Sequence, residues 1–257
     1  MEPRFITGKP ALLVGKTLVI ADLHIGVEFE YYKSGIIIPS NTKNMENEIK
    51  NLIDLAGVKG MVILGDLKHK VPGITRQELR EVPDFLKHMG EMVRVDVVPG
   101  NHDSGLKYFI PGNIRLHSSR GFATKECYFV HGHTWPHREF LEKRYVFVGH
   151  EHPQIEFRDS LGYRFFEPVW VRAKLDREKL RRKYKNIPKK LPELIVFPKF
   201  NRLSGGISIN RPLTDIDKAH EAYHTGIGTL VRSAELNSAK IYLLDGTFLG
   251  VLENLSC

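Results

Sequence analysis

The chain has 257 residues, 42% of them apolar and 26% charged, with a formal net charge of +8. That length supports one large domain with its own core, and the composition is that of a globular protein rather than a disordered, collagenous or disulfide-stapled one. No apolar run reaches the roughly 18 residues of a membrane-spanning helix, and the N-terminus has no basic patch followed by an apolar stretch, so neither a membrane anchor nor a secretory signal is expected.

In chain order, residues 18–21 form a short apolar run, read as a buried strand ending at Asp22. Residues 41–56 carry Met45, Ile49, Leu52, Ile53 and Leu55 at helical spacing, with Ser40 or Asn41 as cap and Gly57 just past the end. Residues 61–64 are a second buried strand, stopping at Gly65-Asp66. Residues 75–89 predict a further helix, which Pro83 should kink or split. Residues 93–98 are a third strand, stopping at Pro99-Gly100-Asn101-His102. Strands and helices alternating in this way predict an α/β sheet with parallel neighbours.

The second half changes character. Residues 128–130, 145–148, 155–157, 163–171 and 194–197 read as short strands with tight connections, and Asp245-Gly246 between two apolar runs predicts a hairpin. Within 172–190 lie ten Lys or Arg and two Asp or Glu, a local surplus equal to that of the whole chain. Residues 176–184 there suit a helix capped by Asp176, with Leu180 and Tyr184 facing inward. The expectation is a single domain over 1–257, with a basic insertion at 172–190 and a C-terminal β-hairpin extension at about 207–257. The insertion is either an electrostatic footprint for a nucleic-acid backbone or a solvated face.

Polar residues punctuate the strand ends: Asp22-Leu23-His24, Gly65-Asp66, Gly100-Asn101-His102-Asp103, His131-Gly132-His133 and Gly149-His150-Glu151-His152. In open α/β sheets the carboxyl ends of strands meet at one crevice, so these five clusters should converge. Asp22 and His24, two apart, would point to one side of an extended chain, and His150 and His152 repeat that spacing. Mixed carboxylate and imidazole donors suit Zn, Mn, Fe or Ni, whereas Ca and Mg prefer oxygen alone. Asp66 offers a carboxylate that can bridge two ions, and two ions form a clamp for displacement at phosphorus. Asn101 adds an oxygen and His131 a nitrogen. His102 is placed to protonate a leaving oxygen, and Asp103 to orient its ring.

Other residues read two ways. His69 is a phosphate contact or a solvated loop residue; His133 lines the site or hydrogen-bonds a ligand. The aromatic loop at 26–39, with Tyr31, Tyr32 and Lys33, is a lid or a packed helix. Lys199 and Arg202 reach a phosphate or stay solvated. Trp135-Pro136 reads as a packed turn. Cys127 and Cys257, 130 positions apart, are the only cysteines; that excludes a disulfide framework and suits a cytoplasmic location.

In their order and spacing these motifs resemble the calcineurin-like metallophosphoesterase superfamily: D-x-H, GD, GNH[D/E], H and GHxH, each matched. The stretches at 21–26, 35–39, 131–136 and 198–200 are similar to its archaeal and bacterial branch, which includes ligase- or helicase-associated members. The resemblance implies a four-layer α/β/β/α sandwich of two mixed sheets. It implies one metal held by Asp22, His24, Asp66 and His152, another by Asp66, Asn101, His131 and His150, and His102 as general acid. The implied activity is dinuclear phosphodiesterase chemistry on nucleotides or nucleic acid through a metal-bridged hydroxide. Two divalent ions are implied, manganese first, with nickel, iron or zinc as alternatives. Rival readings are a single-stranded DNA or RNA nuclease working with a DNA helicase or ligase, a phosphomonoesterase, and a non-enzymatic scaffold of the same fold.

Overall fold

The computed structural model describes residues 2–211 and 227–255. The remainder of the expected C-terminal extension, and Cys257, lie outside the described residues.

The first sheet contains β1 (Arg4–Phe5), β2 (Ala11–Val14), β3 (Thr17–Ala21), β4 (Gly60–Leu64), β5 (Arg94–Val98) and β6 (Arg115–Leu116), in that spatial order. β3 to β6 are parallel, and β1 and β2 add an antiparallel edge. Both faces are covered, which is why β3 and β4 read as unbroken apolar runs. Alternate residues serve different cores. Leu18, Ile20, Met61, Ile63, Val95 and Val97 pack outward against the helices, while Val19, Ala21, Val62, Leu64 and Val98 pack inward against the second sheet.

The outer helices are α1 (Glu28–Lys33), α2 (Thr42–Ala56) and α3 (Arg76–Met92). Gly57 ends α2 with φ 56°, the left-handed stop that glycine permits. Asn41 is the cap residue of α2, but its side chain makes no capping bond; the hydroxyl of Ser40 instead accepts from the Thr42 amide at 3.3 Å. α3 begins with a reciprocal capping box between Thr75 and Glu78. The expected split at Pro83 does not occur: α3 runs through it as one helix. Proline removes a single bond to the carbonyl four residues back, and Leu79 is half exposed, so that carbonyl lies on a face open to water.

The second sheet has the order β13 (Ile207–Ser208), β10 (Pro153–Arg158), β11 (Arg164–Lys174), β12 (Glu193–Val196), β9 (Tyr145–Val148), β8 (Cys127–Val130), β7 (Phe122–Ala123). β11 is long enough to pair first with β10 and then with both β12 and β14 (Lys240–Leu243), which is hairpinned to β15 (Phe248–Val251). Phe129, Phe147, Trp170 and Phe197 meet the first sheet, and the opposite face packs against Phe140, Leu180, Tyr184 and Leu230. The architecture is two mixed sheets face to face with helices outside, an α/β sandwich. Its outer layer over the second sheet is thin, with α4 (Arg177–Arg181) shorter than the expected helix to Tyr184. Asp176 caps α4 through the Glu178 and Lys179 amides, and Leu180 and Tyr184 point inward. Among the described residues no helix is long and apolar enough to cross a membrane.

Candidate metal centre

β3, β4 and β5 are parallel to one another, and so are β8 and β9. Their carboxyl ends deliver Asp22 and His24, Asp66, Asn101 and His102, His131, and His150 and His152 to one edge where the two sheets meet. The chain turns sharply there. Six non-glycine residues among those described have positive φ, and five of them are Asp22 (58°), His24 (41°), Asp66 (47°), His150 (74°) and His152 (44°). A left-handed residue costs roughly 1–2 kcal/mol, and such strain concentrates at functional sites. The extended i, i+2 geometry expected for Asp22–His24 and His150–His152 is therefore replaced by left-handed turns, which still bring each pair to the same crevice.

Asp66 lies at the centre. Its Oδ1 is 3.4 Å from His131 Nε2, and its Oδ2 is 3.6 Å from His24 Nε2 and 3.9 Å from His102 Nε2. On one side His152 Nε2 is 3.1 Å from His24 Nε2 and 3.5 Å from Asp22 Oδ1. On the other, His131 Nε2 is 3.1 Å from Asn101 Oδ1. Three groups have donor atoms within 4.8 Å of one another: Asp22, His24 and His152; Asp66, His131 and His150; and His24, His69 and His102. Backbone approach is close on all sides. A Cβ on Gly65 would strike the His131 ring, and one on Gly100 would strike the Asp66 carboxylate.

Backbone groups fix which nitrogen faces the cluster. Nδ1 of His131 donates to the Leu64 carbonyl at 2.8 Å, Nδ1 of His152 to the Gly205 carbonyl at 2.8 Å, and Nδ1 of His102 to the His69 carbonyl. Each leaves Nε2 toward the site, the arrangement that orients metal-binding imidazoles. Two further amides reach the carboxylates: His150 N donates to Asp22 and His102 N to Asp66.

The donor set fits divalent cations. Asp22 and Asp66 are 0% and 2% exposed; burial favours their neutral forms, but facing imidazoles outweigh it and hold both below the usual carboxylate range. Burial drives His24 to about 3 and, with the charge on His131, His150 to about 4. Burial opposes charge on His131 too, yet Asp66 and Asp22 hold it up to about 10. The ionised carboxylates and the neutral His24 and His150 are in the state that ligates metal, whereas His131 and His152, held up by Asp66 and Asp22, would give up a proton to an ion; buried charges persist only when paired or coordinated.

His69 and His133 are both brought in. The His69 ring is 3.2 Å from His24 Nδ1, and the His133 ring centroid is 5.2 Å from that of His131. Burial and the neighbouring His131 push His133 down to about 4. Asp103 is a correction. It does not orient the His102 ring, because its carboxylate points the other way and accepts from the Lys68 amide at 3.1 Å and the Gly100 amide at 2.8 Å. Burial and the charge of Asp66 raise it to about 6. Adjacent side chains on a turning chain diverge, and the His69 carbonyl takes the role expected of Asp103.

Three contributors escaped the sequence reading. Glu78, 0% exposed, accepts from the amides of His69, Lys70 and Thr75, so the cap of α3 also holds the loop that carries the His69 carbonyl. The S/T-x-x-E pattern at Thr75–Glu78 was a signal for the cap but not for the loop. Glu151, between two site histidines, is buried, raised to about 7 by that burial, and accepts from the Gly228 amide. Asn201 is fully buried and ties its segment to the Leu23 carbonyl. In the 26–39 loop, α1 is a short helix with Tyr31 bonded to the Leu203 carbonyl and Tyr32 and Lys33 exposed. Trp135 packs edge-on against Tyr184, whose hydroxyl bonds the Pro136 carbonyl.

The family model for calcineurin-like phosphoesterases matches residues 15–185. No curated protein matches the chain. Among solved structures, it is similar to the Pseudomonas putida nuclease MPE, with 19% identity and a TM-score of 0.55 over 95% of this chain and 96% of that one. It also aligns with YfcE, a phosphoesterase from E. coli, at 13% identity and a TM-score of 0.41 over 91% and 96% of the two chains. The likeness to the nuclease is one of fold.

Proposed function

The chain belongs to the calcineurin-like phosphoesterase family, a family of metal-dependent phosphoesterases, and from that premise we propose that it is a two-metal phosphodiesterase acting on nucleic acid or nucleotides. The observation that carries this reading is the Asp66 carboxylate, one oxygen toward His131 and the other toward His24. A single carboxylate between two donor clusters is what a bridged ion pair requires. Asp22, His24, Asp66 and His152 would hold one ion, and Asp66, Asn101, His131 and His150 the other, with manganese the first choice. Bound there, the ions supply charge neutralisation at the phosphoryl oxygens and a nucleophile from water at neutral pH.

The chain's own residues do the rest. The His131 and His152 rings are locked by backbone carbonyls, so the donor set is preorganised. His102 has Nδ1 committed to the His69 carbonyl, and Nε2 is the atom that gives a proton to the departing ester oxygen. A departing alkoxide is a poor leaving group and needs that proton. Asp103 holds the Lys68 and Gly100 amides and so keeps the Asn101–His102 loop against Asp66.

Nucleic acid is the substrate class that the surplus charge favours, but the basic segment is not at the scissile bond. Arg172–Lys174 pairs with the first three residues of β12 and runs toward the sheet end opposite to the one carrying His150. Arg172, Arg177, Lys179 and Arg181 are engaged with Glu193, with carbonyls, or with Glu178. The exposed remainder suits a distal stretch of polyanion or a protein partner such as a DNA helicase or ligase. Calorimetric titration of metal-depleted protein with Mn²⁺ tests the central arrangement: two ions per chain are expected, and a stoichiometry of one contradicts it.

A further inference from the structure

A cavity of about 830 Å³ opens beside His152 and follows β10 and the first half of β11. His152 belongs both to the cavity wall and to a donor cluster, so the cavity adjoins the candidate metal centre. A second feature lies along the wall. Phe166 lines the cavity, is 47% exposed and lies on the face of β11 that carries Trp170 and meets the first sheet, so this wall keeps aromatic surface in water, whereas its neighbour Phe165 stacks on Phe157 across the opposite, outer face. Arg202 lines the same cavity, is exposed, and makes no hydrogen bond or ion pair among the described residues. Lys199 lines it too, its ammonium fixed by the Ser204 carbonyl. Ser204 adjoins Gly205, whose carbonyl holds His152. The cations therefore stand at the metal end.

The spacing selects among occupants. Phe166 pairs with Glu156, three residues beyond Pro153, about 10 Å along the strand at roughly 3.3 Å per residue. That exceeds the reach of one nucleotide and suits a strand of two or more. Base stacking on aromatic side chains is sequence-tolerant and needs exposed ring faces, as here. Glu167 and Asp245 also line the cavity. They repel phosphate, so the anionic backbone runs on the Arg202 side.

We propose that this groove is a single-strand subsite: Arg202 and Lys199 hold a phosphate next to the scissile one, and Phe166 stacks a base two or more nucleotides away. The proposal rests on the phosphodiesterase reading and gives it a minimum substrate length.

The test uses 5′-fluorescein oligothymidylates and oligouridylates of one to ten nucleotides. Anisotropy is measured on metal-depleted full-length protein, and KM and kcat are measured with Mn²⁺ beside bis-(p-nitrophenyl) phosphate. Affinity should rise steeply once the oligomer spans the groove. Phe166→Ala should weaken the longer oligomers roughly ten- to a hundredfold, the range of one lost base stack. It should do so through KM, by a factor at least tenfold larger than any effect on the small diester, and Phe166→Trp should restore the binding. Arg202→Ala should flatten the salt dependence of the same oligomers. Affinity independent of length, or equal losses on oligomer and small diester, overturns the subsite. Wild-type protein that binds long oligomers but cleaves neither substrate instead overturns the phosphodiesterase reading and leaves the subsite standing. Stronger binding of one sugar series identifies the strand as DNA or RNA.

Discussion

His102 gives its Nδ1 hydrogen to the backbone carbonyl of His69, and the ring is thereby pinned with Nε2 toward Asp66. His102→Ala is expected to keep both metal sites, since it removes neither Asp66 nor the site histidines. Turnover of a diester should fall by about 10²- to 10⁴-fold, the usual contribution of a positioned acid. Metal content by elemental analysis and kcat on an oligothymidylate, whose leaving group is an alkoxide, check this together. Undiminished turnover removes His102 from the mechanism.

That pin depends on a residue further away. Glu78 holds the amides of His69 and Lys70 while closing the capping box of α3. Glu78→Ala should cost about 1–3 kcal/mol in stability, as a cap and buried hydrogen bonds are lost. It should also lower kcat more than it raises KM, because His102 loses its register. Chemical denaturation and steady-state kinetics report the two effects, and a change in KM alone would mean that the loop does not position the ring.

Asp66→Asn is expected to reduce metal binding at both clusters rather than one. Its two oxygens face different imidazoles, His131 and His24, and a carboxamide offers neither the charge nor two equivalent oxygens. Titration with Mn²⁺ should show both steps weakened. Selective loss of one step would make Asp66 a ligand of that ion only.

Glu46 supplies a pH signature away from the site. Burial would raise its carboxyl, but hydrogen bonds from Lys50 and Lys43, with the His88 ring 3.2 Å away, outweigh that and hold it at about 2 against an ordinary 4.5. The folded-state value is depressed, so the stabilisation is complete above about pH 4.5 and is lost as pH falls toward 2. Glu46→Gln should destabilise by about 1–2 kcal/mol at pH 7, discounted because Lys43 stands largely in water. The difference should shrink steadily in acid. A constant difference from pH 7 to pH 3 would mean that the packing of the side chain, not its charge, matters.

Much of the candidate metal centre was legible in the sequence because each donor follows closely on a strand. Asp22, Asp66 and Asn101 follow neighbouring parallel strands of one sheet, whereas His131 and His150 follow strands of the second, whose placement came only with the family resemblance. What stayed hidden depends on contacts distant in sequence. Asp103 was assigned by adjacency to His102, whereas the His69 carbonyl, 33 positions away, does the orienting. Pro83 was given more disruptive power than one missing amide on a half-open helix face has. Phe166 looked like an ordinary strand residue, since one strand cannot reveal that its aromatic side chain is left uncovered. The charge surplus was located correctly to 172–190, but its position at the far end of the sheet follows only from the β11–β12 register.

The most direct test of a two-metal phosphodiesterase is one comparison on a single preparation. Metal-depleted protein is reconstituted with Mn²⁺, and kcat/KM is measured for bis-(p-nitrophenyl) phosphate and for p-nitrophenyl phosphate. The account predicts no turnover before Mn²⁺ is added and, afterwards, faster hydrolysis of the diester. Preference for the monoester, or no response to Mn²⁺, would contradict it.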